Sequence, residues 1–172
     1  MRECNAYCRL RYHNRMKQRV YVETSVISYV TAWSSRDLIV AAHQAITRQW
    51  WDDERSKYEL VISEAVIRKA GAGDAQAAAQ RLALLQSFSL LDINQQVEQL
   101  ARDFLTAGAM PPSAALDALH VAAAAWHGAE YVLTWNCRHI ASARVRPRID
   151  ALCRSRGITA PQLCTPEELM EA

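Results

Sequence analysis

The sequence predicts an α/β domain in which a central, mostly parallel sheet is covered by helices on both faces. Short runs such as "ELVI" at 59–62 and "EYVLT" at 130–134 alternate with longer segments of helical periodicity. Their centres are apolar without alternation, which is typical of strands buried on both faces of a sheet. With 172 residues, 51% of them hydrophobic, the chain can bury one sizeable core. We therefore expect a single domain over residues 20–172.

The first half of the chain carries clear start and stop signals for its elements. Ser63 and Asp74 are residues that favour helix N-caps, and Gly71 is suited to end the helix between them. The predicted elements are a strand over 20–24 running into a helix start, an amphipathic helix over 36–55, a strand over 59–62, and helices over 63–70 and 74–87.

The second half continues the same alternation. Asn94 and Ser113 are predicted N-caps, and Gly128 ends the helix that follows Ser113. Thr165 and Glu168 have the spacing of a capping box. The predicted elements are a strand over 90–93, helices over 94–107 and 113–127, and strands over 130–134 and 162–164.

Charge and cysteine content limit the class of protein. The formal net charge of +2 does not by itself indicate a nucleic-acid binder. A local basic excess lies in residues 1–19, which we expect to form an N-terminal extension. The five cysteines are scattered, follow no signal peptide, and suit a reducing cytoplasm. The longest apolar stretch, 118–126, is too short to span a membrane, so we expect a soluble cytoplasmic protein.

Polar groups are predicted at the carboxyl ends of the strands, where ligand sites form in parallel sheets. Glu23 ends the first strand, Asn136 follows the strand at 130–134, and Asp117 lies near the start of a nearly all-apolar helix. Two carboxylates in one crevice repel each other unless a cation joins them, and oxygen ligands suit Mg²⁺ or Mn²⁺. This constellation suits metal-assisted phosphodiester cleavage. The hydroxyl groups expected to support it belong to Thr24, Ser25 and Thr134.

Each of these residues also has a purely structural interpretation. Glu23 could pair with Arg19 or Arg68, and Asp117 could be a first-turn acid favoured by the helix dipole. His120, on the same apolar helix, is more often a satisfied core histidine than a metal ligand. No glycine-rich phosphate loop follows the first strand, which counts against a nucleotide-binding domain.

The order of three motifs resembles a known family. "YVETSVISYV", "VISEAVIRKAGAGD" and "SAALDALHVAAAAWHGAEYVLTWNCRHIA" are similar in sequence and spacing to the PIN-domain ribonucleases, especially the VapC-like toxins of toxin–antitoxin pairs. The resemblance covers about residues 20–170. It implies a three-layer α/β/α sandwich, a Mg²⁺ or Mn²⁺ site of acidic residues, and endonucleolytic cleavage of RNA. It also implies a cognate antitoxin that blocks the site, and a homodimer.

The resemblance assigns family positions to three residues. The first family acid falls on Glu23, with one methylene more than the usual aspartate, and the third falls on Asp117. The fourth, which varies between aspartate and asparagine, falls on Asn136. These three are the predicted catalytic residues, with Glu23 and Asp117 as metal ligands.

The second family acid is missing, which puts the activity in question. Where the family has a glutamate, this chain has Arg68 and Lys69. Glu64, one turn earlier, is the predicted substitute metal ligand if the helix is rotated or shifted. Alternatively, Arg68 or Lys69 pairs with Glu23 in a metal-free site, and the chain is a weakened or inactive module that binds RNA or a protein partner.

Overall fold

The computed structural model describes residues 17–170. Most of the predicted N-terminal extension lies outside the described residues, and the first strand begins at Arg19. The strands are β1 (Arg19–Val22), β2 (Glu59–Ser63), β3 (Ser89–Leu91), β4 (Tyr131–Leu133) and β5 (Gln162–Cys164). The α-helices are α1 (Thr24–Thr31), α2 (Leu38–Asp53), α3 (Glu64–Ala70), α4 (Ala75–Leu85), α5 (Gln95–Thr106), α6 (Ala115–Trp126) and α7 (Arg146–Ser155).

The five strands form one sheet in the order β3-β2-β1-β4-β5, and every pairing is parallel. From β1 the chain builds outward through β2 and β3 on one side, and through β4 and β5 on the other. The carboxyl end of β1 is therefore the topological switch point, where open α/β sheets place their ligand crevice. Val22 of β1 pairs with Leu133 of β4, so the residues that follow these two strands meet at that point.

Both faces of the sheet are covered by helices. Successive side chains of a strand point to opposite faces, and Val20, Tyr21 and Val22 of the central strand are all completely buried. Such burial requires a helical layer on each side. The predicted three-layer α/β/α sandwich is thus confirmed, with an all-parallel sheet.

Side-chain caps begin two helices where the sequence predicts them. Asp74 accepts a hydrogen bond from the backbone N–H of Ala77 at the start of α4, and Asn94 accepts one from Val97 at the start of α5. These bonds satisfy backbone donors that a helix leaves free in its first turn.

Of two other predicted caps, one lacks its hydrogen bond and one is misplaced. Ser63 stands at the N-cap position of α3, but its hydroxyl bonds to the Tyr21 hydroxyl at 2.7 Å instead. Ser113 lies inside a 3₁₀ turn over Pro112–Ala114, so α6 begins at Ala115 without a side-chain cap. At Ser63 a tertiary hydrogen bond outweighs the local capping preference, whereas at Ser113 the 3₁₀ turn moves the start of the helix two residues on.

Helix α7 was missed by the sequence prediction. Its sequence RPRIDALCRS is polar, and its buried side chains are Ile149 and Cys153, one turn apart. So narrow an apolar stripe gives a weak periodic signal. Within residues 17–170, no helix is long and apolar enough to cross a membrane.

Candidate functional site

Glu23 joins β1 to α1 at the switch point of the sheet. Its backbone N–H donates to the carbonyl of Leu133 at 3.0 Å, which continues the β1–β4 pairing, and its backbone is extended. Its side chain turns back as the N-cap of α1. The residue is completely buried, so its carboxylate depends on the polar groups around it.

Within the described residues, four donors surround the Glu23 carboxylate. Oε2 accepts hydrogen bonds from the backbone N–H of Ser25 (3.0 Å), the Ser25 hydroxyl (2.5 Å) and the Thr134 hydroxyl (3.0 Å). Oε1 accepts from the ammonium Nζ of Lys69 at 3.0 Å. Burial alone raises the pKa of Glu23, but Lys69 and the Ser25 hydrogen bonds outweigh it and hold the pKa below its usual value. Glu23 is therefore ionised at neutral pH.

The segment after β4 extends this network. The Thr134 hydroxyl accepts from the backbone N–H of Asn136 at 2.9 Å, and Asn136 Oδ1 accepts from the backbone N–H of His139 at 3.0 Å. His139 Nδ1 in turn lies 3.0 Å from Asp117 Oδ2, on the first turn of α6. A continuous chain of hydrogen bonds thus links Glu23 to Asp117.

The structure brings most of the predicted site residues together. Glu23, Ser25, Thr134, Asn136 and Asp117 belong to this one network. The two carboxylates are nevertheless separately paired, Glu23 with Lys69 and Asp117 with His139.

Two predicted residues stand apart from the network. Glu64 is exposed as the first residue of α3, and its carboxylate forms no hydrogen bond or ion pair with any residue of 17–170. Thr24 is buried, but its hydroxyl has no hydrogen-bond partner within the described part of the chain.

The partners of the carboxylates were only partly foreseen from the sequence. Lys69 was one of three basic candidates for Glu23; of the other two, Arg68 is exposed and Arg19 is bound elsewhere. The pairing of His139 with Asp117 was missed. A signal for it existed in the spacing Asn136-x-x-His139, because an asparagine oxygen often accepts from the backbone N–H a few residues on.

A second buried network lies beside Glu23. The Tyr21 hydroxyl bonds to Ser63 Oγ at 2.7 Å and to His120 Nδ1 at 2.8 Å. Burial is the main cause that lowers the pKa of His120, to about 4, so its imidazole is neutral at neutral pH. His120 Nε2 is buried and has no hydrogen-bond partner among the described residues. His120 is therefore a core residue with one unsatisfied nitrogen.

As arranged, the carboxylate oxygens of Glu23 and Asp117 do not form a preassembled Mg²⁺ or Mn²⁺ site. Such a site needs one or two carboxylates whose oxygens are free to bind the ion. Here both Glu23 oxygens accept hydrogen bonds, one of them from a cation, and the described His, Cys, Asp and Glu side chains include no group of three or more that could hold a metal ion. The oxygen chemistry is suitable, but an ammonium group and an imidazole already bind the two carboxylates.

The chain was compared with known protein families, sequences and structures. The family model of the PIN domain matches residues 20–144. No curated protein sequence matches the chain significantly.

Solved structures with the same fold are similar over most of the chain. A chain of the crystal structure of VapBC2 from Rickettsia felis, bound to a DNA fragment from their promoter, is 12% identical with a TM-score of 0.53, covering 86% of this chain and 98% of that one. VapBC-1 from nontypeable Haemophilus influenzae is 14% identical with a TM-score of 0.54, covering 87% and 98%. FitAcB from Neisseria gonorrhoeae has the same identity and TM-score, covering 87% and 99%. At such low identity these structures establish the fold, and the match over residues 20–144 establishes that the chain belongs to the PIN-domain family.

Proposed function

We propose that the chain is the toxin of a toxin–antitoxin pair, an endoribonuclease whose cleavage of RNA is impaired by Lys69. The observation that carries the proposal is the buried Glu23 carboxylate at the switch point, ion-paired with Lys69 and linked by hydrogen bonds to Asp117. An ionised carboxylate buried at a ligand-binding edge is expensive to maintain, which supports a functional role. Family membership supports nuclease chemistry in particular.

Dependence on Mg²⁺ or Mn²⁺ belongs to this proposal as an expectation from the sequence. Glu23 and Asp117 are the proposed ligands, and Asn136 is the proposed residue that positions water or phosphate. Their present hydrogen bonds support only weak cation binding, because Lys69 and His139 compete for the same oxygens. We therefore expect slow cleavage that rises with metal concentration.

The test is cleavage of labelled single-stranded RNA by nuclease-free protein, with Mn²⁺, with Mg²⁺ and with a chelator. We expect slow cleavage that the chelator abolishes and that falls at least about tenfold in Asp117→Asn. Asp52→Asn is the matched control, since Asp52 is an exposed acid in the last turn of α2, before the amino end of β2. Equal cleavage by wild type and Asp117→Asn contradicts the proposed site.

A second candidate is a PIN-like module that binds RNA without cleaving it. The Lys69–Glu23 ion pair favours it, because that pair neutralises the site without a metal. This candidate predicts RNA binding that weakens steeply with salt, since phosphate contacts release counterions. The same RNA distinguishes the two: binding without cleavage in every metal supports the module, and cleavage by the purified chain refutes it.

The proposed protein partners are a cognate antitoxin and a second copy of the chain. Trp33, between α1 and α2, is 90% exposed, and Leu38 and Ile39, the first two residues of α2, are also largely exposed. Large exposed apolar side chains close together in the sequence favour a protein contact. Light scattering tests which partner binds the surface around Trp33. If Trp33→Ser converts a dimer to a monomer, this surface is the dimer interface. If the dimer is unaffected, the surface is proposed to bind the antitoxin.

A further inference from the structure

We propose that Lys69 is a tethered counter-cation that occupies the cation position of the Glu23 site and keeps divalent metals out of it. The proposal concerns the same crevice as the proposed function. It depends on cation binding alone, so it can be tested whether or not the chain cleaves RNA.

The first support is that Glu23 needs a positive charge and Lys69 is the group that supplies it. Glu23 is completely buried, and an unpaired buried carboxylate is strongly unfavourable. Within residues 17–170, the ion pair of Glu23 is with Lys69 alone. Arg19, another basic residue considered for this role, instead donates to the carbonyl of His127 and lies 3.7 Å from a Glu59 carboxylate oxygen.

The second support is the oxygen to which Lys69 binds. Oε2 of Glu23 already accepts three hydrogen bonds from Ser25 and Thr134, which hold it in place. Oε1 is the oxygen left for a cation, and the Lys69 ammonium lies 3.0 Å from it. A divalent ion at Oε1 would have to displace Lys69 or sit beside its positive charge, and like charges so close repel strongly.

The third support is the position of Lys69 on α3. This helix starts directly after β2, the neighbour of β1, so its residues are carried past the carboxyl end of the central strand. The Lys69 side chain is 44% exposed while its ammonium contacts a buried carboxylate. The long aliphatic stem thus reaches inward from the rim of the crevice, as lysine stems can do. A side chain held from the rim can be replaced without emptying the core.

In the part of the chain that the structure describes, the other two predicted metal ligands do not complete a cation site at Glu23. Asp117, the other carboxylate of the network, is bound by His139 at 3.0 Å. Glu64, on the same helix as Lys69, is exposed and outside the network. Replacing Lys69 by an acid therefore changes the site from one carboxylate with a bound cation to two carboxylates without one.

Isothermal titration of the full chain with Mn²⁺ tests the proposal. We expect very weak binding by wild type and an affinity at least about tenfold higher in Lys69→Glu, because a second carboxylate then faces Glu23 and the competing ammonium is gone. Arg68→Glu is the matched control. It makes the same charge change one residue away on an exposed side chain, and we expect it to alter affinity less than about threefold.

Lys69→Gln keeps the proposal testable if Lys69→Glu does not fold. It removes the competing charge without adding a ligand, and we expect Mn²⁺ both to bind it more tightly than wild type and to raise its melting temperature more. The proposal is overturned if wild type binds Mn²⁺ as tightly as Lys69→Glu or Lys69→Gln. It is also overturned if Arg68→Glu gains as much as Lys69→Glu, because the effect is then one of net charge. Because the titration measures Mn²⁺ binding, its interpretation does not depend on whether any variant cleaves RNA.

Discussion

Replacing Lys69 by methionine is expected to destabilise the fold by about 2 kcal/mol at pH 7. Two unit charges 3.0 Å apart attract by about 5 kcal/mol at an effective dielectric constant of 20. Part of this is lost because Lys69 is 44% exposed and therefore screened by water, and ordering a lysine side chain costs up to about 2 kcal/mol. The remainder, about 2 kcal/mol, lies below the range for breaking a fully buried pair.

Urea unfolding in a double-mutant cycle measures this energy. Lys69→Met leaves an ionised carboxylate without its counter-charge, whereas Glu23→Gln leaves an ammonium that can turn to solvent. We expect the double variant to be at least about 1 kcal/mol more stable than the sum of the single losses predicts. Additivity of the two losses within about 0.5 kcal/mol would refute the ion pair as a stabilising contact.

The destabilisation should also depend on pH. In wild type the pKa of Glu23 lies below its unfolded value, so its contribution is present above the unfolded pKa and disappears as the pH falls through the folded pKa. In Lys69→Met, burial is no longer opposed by a cation, and the folded pKa rises. The variant then takes up a proton as the pH falls, and its deficit relative to wild type shrinks between pH 7 and about pH 4. A constant deficit over this range contradicts the reasoning.

Three further predictions concern the surroundings of the site. Tyr21→Phe should lower the free energy of unfolding in urea by about 1–3 kcal/mol, because Ser63 and His120 lose their buried hydrogen-bond partner. Tyr29→Phe is the control: its hydroxyl has no hydrogen bond within residues 17–170, so the loss should be less than about 0.5 kcal/mol. Thr134→Val should cost about 1–2 kcal/mol, since it removes both a donor to Glu23 and the acceptor of a backbone N–H. In peptide mapping after iodoacetamide treatment, the exposed Cys137 should react well before Cys164, which is buried and whose pKa burial raises to about 12; equal rates would show that β5 opens readily.

Much of the fold could be predicted because its signals are local. Buried parallel strands are short apolar runs, and Asp74 and Asn94 act as caps where the sequence places them. Prediction failed where distant contacts decide the outcome. Ser63 gives up its cap for a bond to Tyr21, 42 positions away, and no local rule contains that contact. Thr165 and Glu168 form reciprocal capping-box bonds within turns rather than at the start of a helix.

The position of the site could be predicted from the sequence, but the partners of its two carboxylates could be predicted only in part. Carboxyl ends of parallel strands meet at one edge, so Glu23 and the residues after β4 could be expected there. Which basic residue reaches Glu23 depends on the rotation of α3, and the sequence left Arg68 and Lys69 open. The structure selects Lys69. The His139–Asp117 pair depends on how the chain turns after Asn136, beyond the reach of helix or strand periodicity.

A crystal structure of the chain grown in excess Mn²⁺, with anomalous data at the manganese edge, tests most directly whether an ammonium group serves as the cation of this crevice. We predict an ammonium–carboxylate contact between Lys69 and Glu23 Oε1, with at most a weak, partly occupied manganese peak beside it. Manganese at full occupancy bonded to Glu23 and Asp117, with the Lys69 side chain turned out to solvent, would contradict the account.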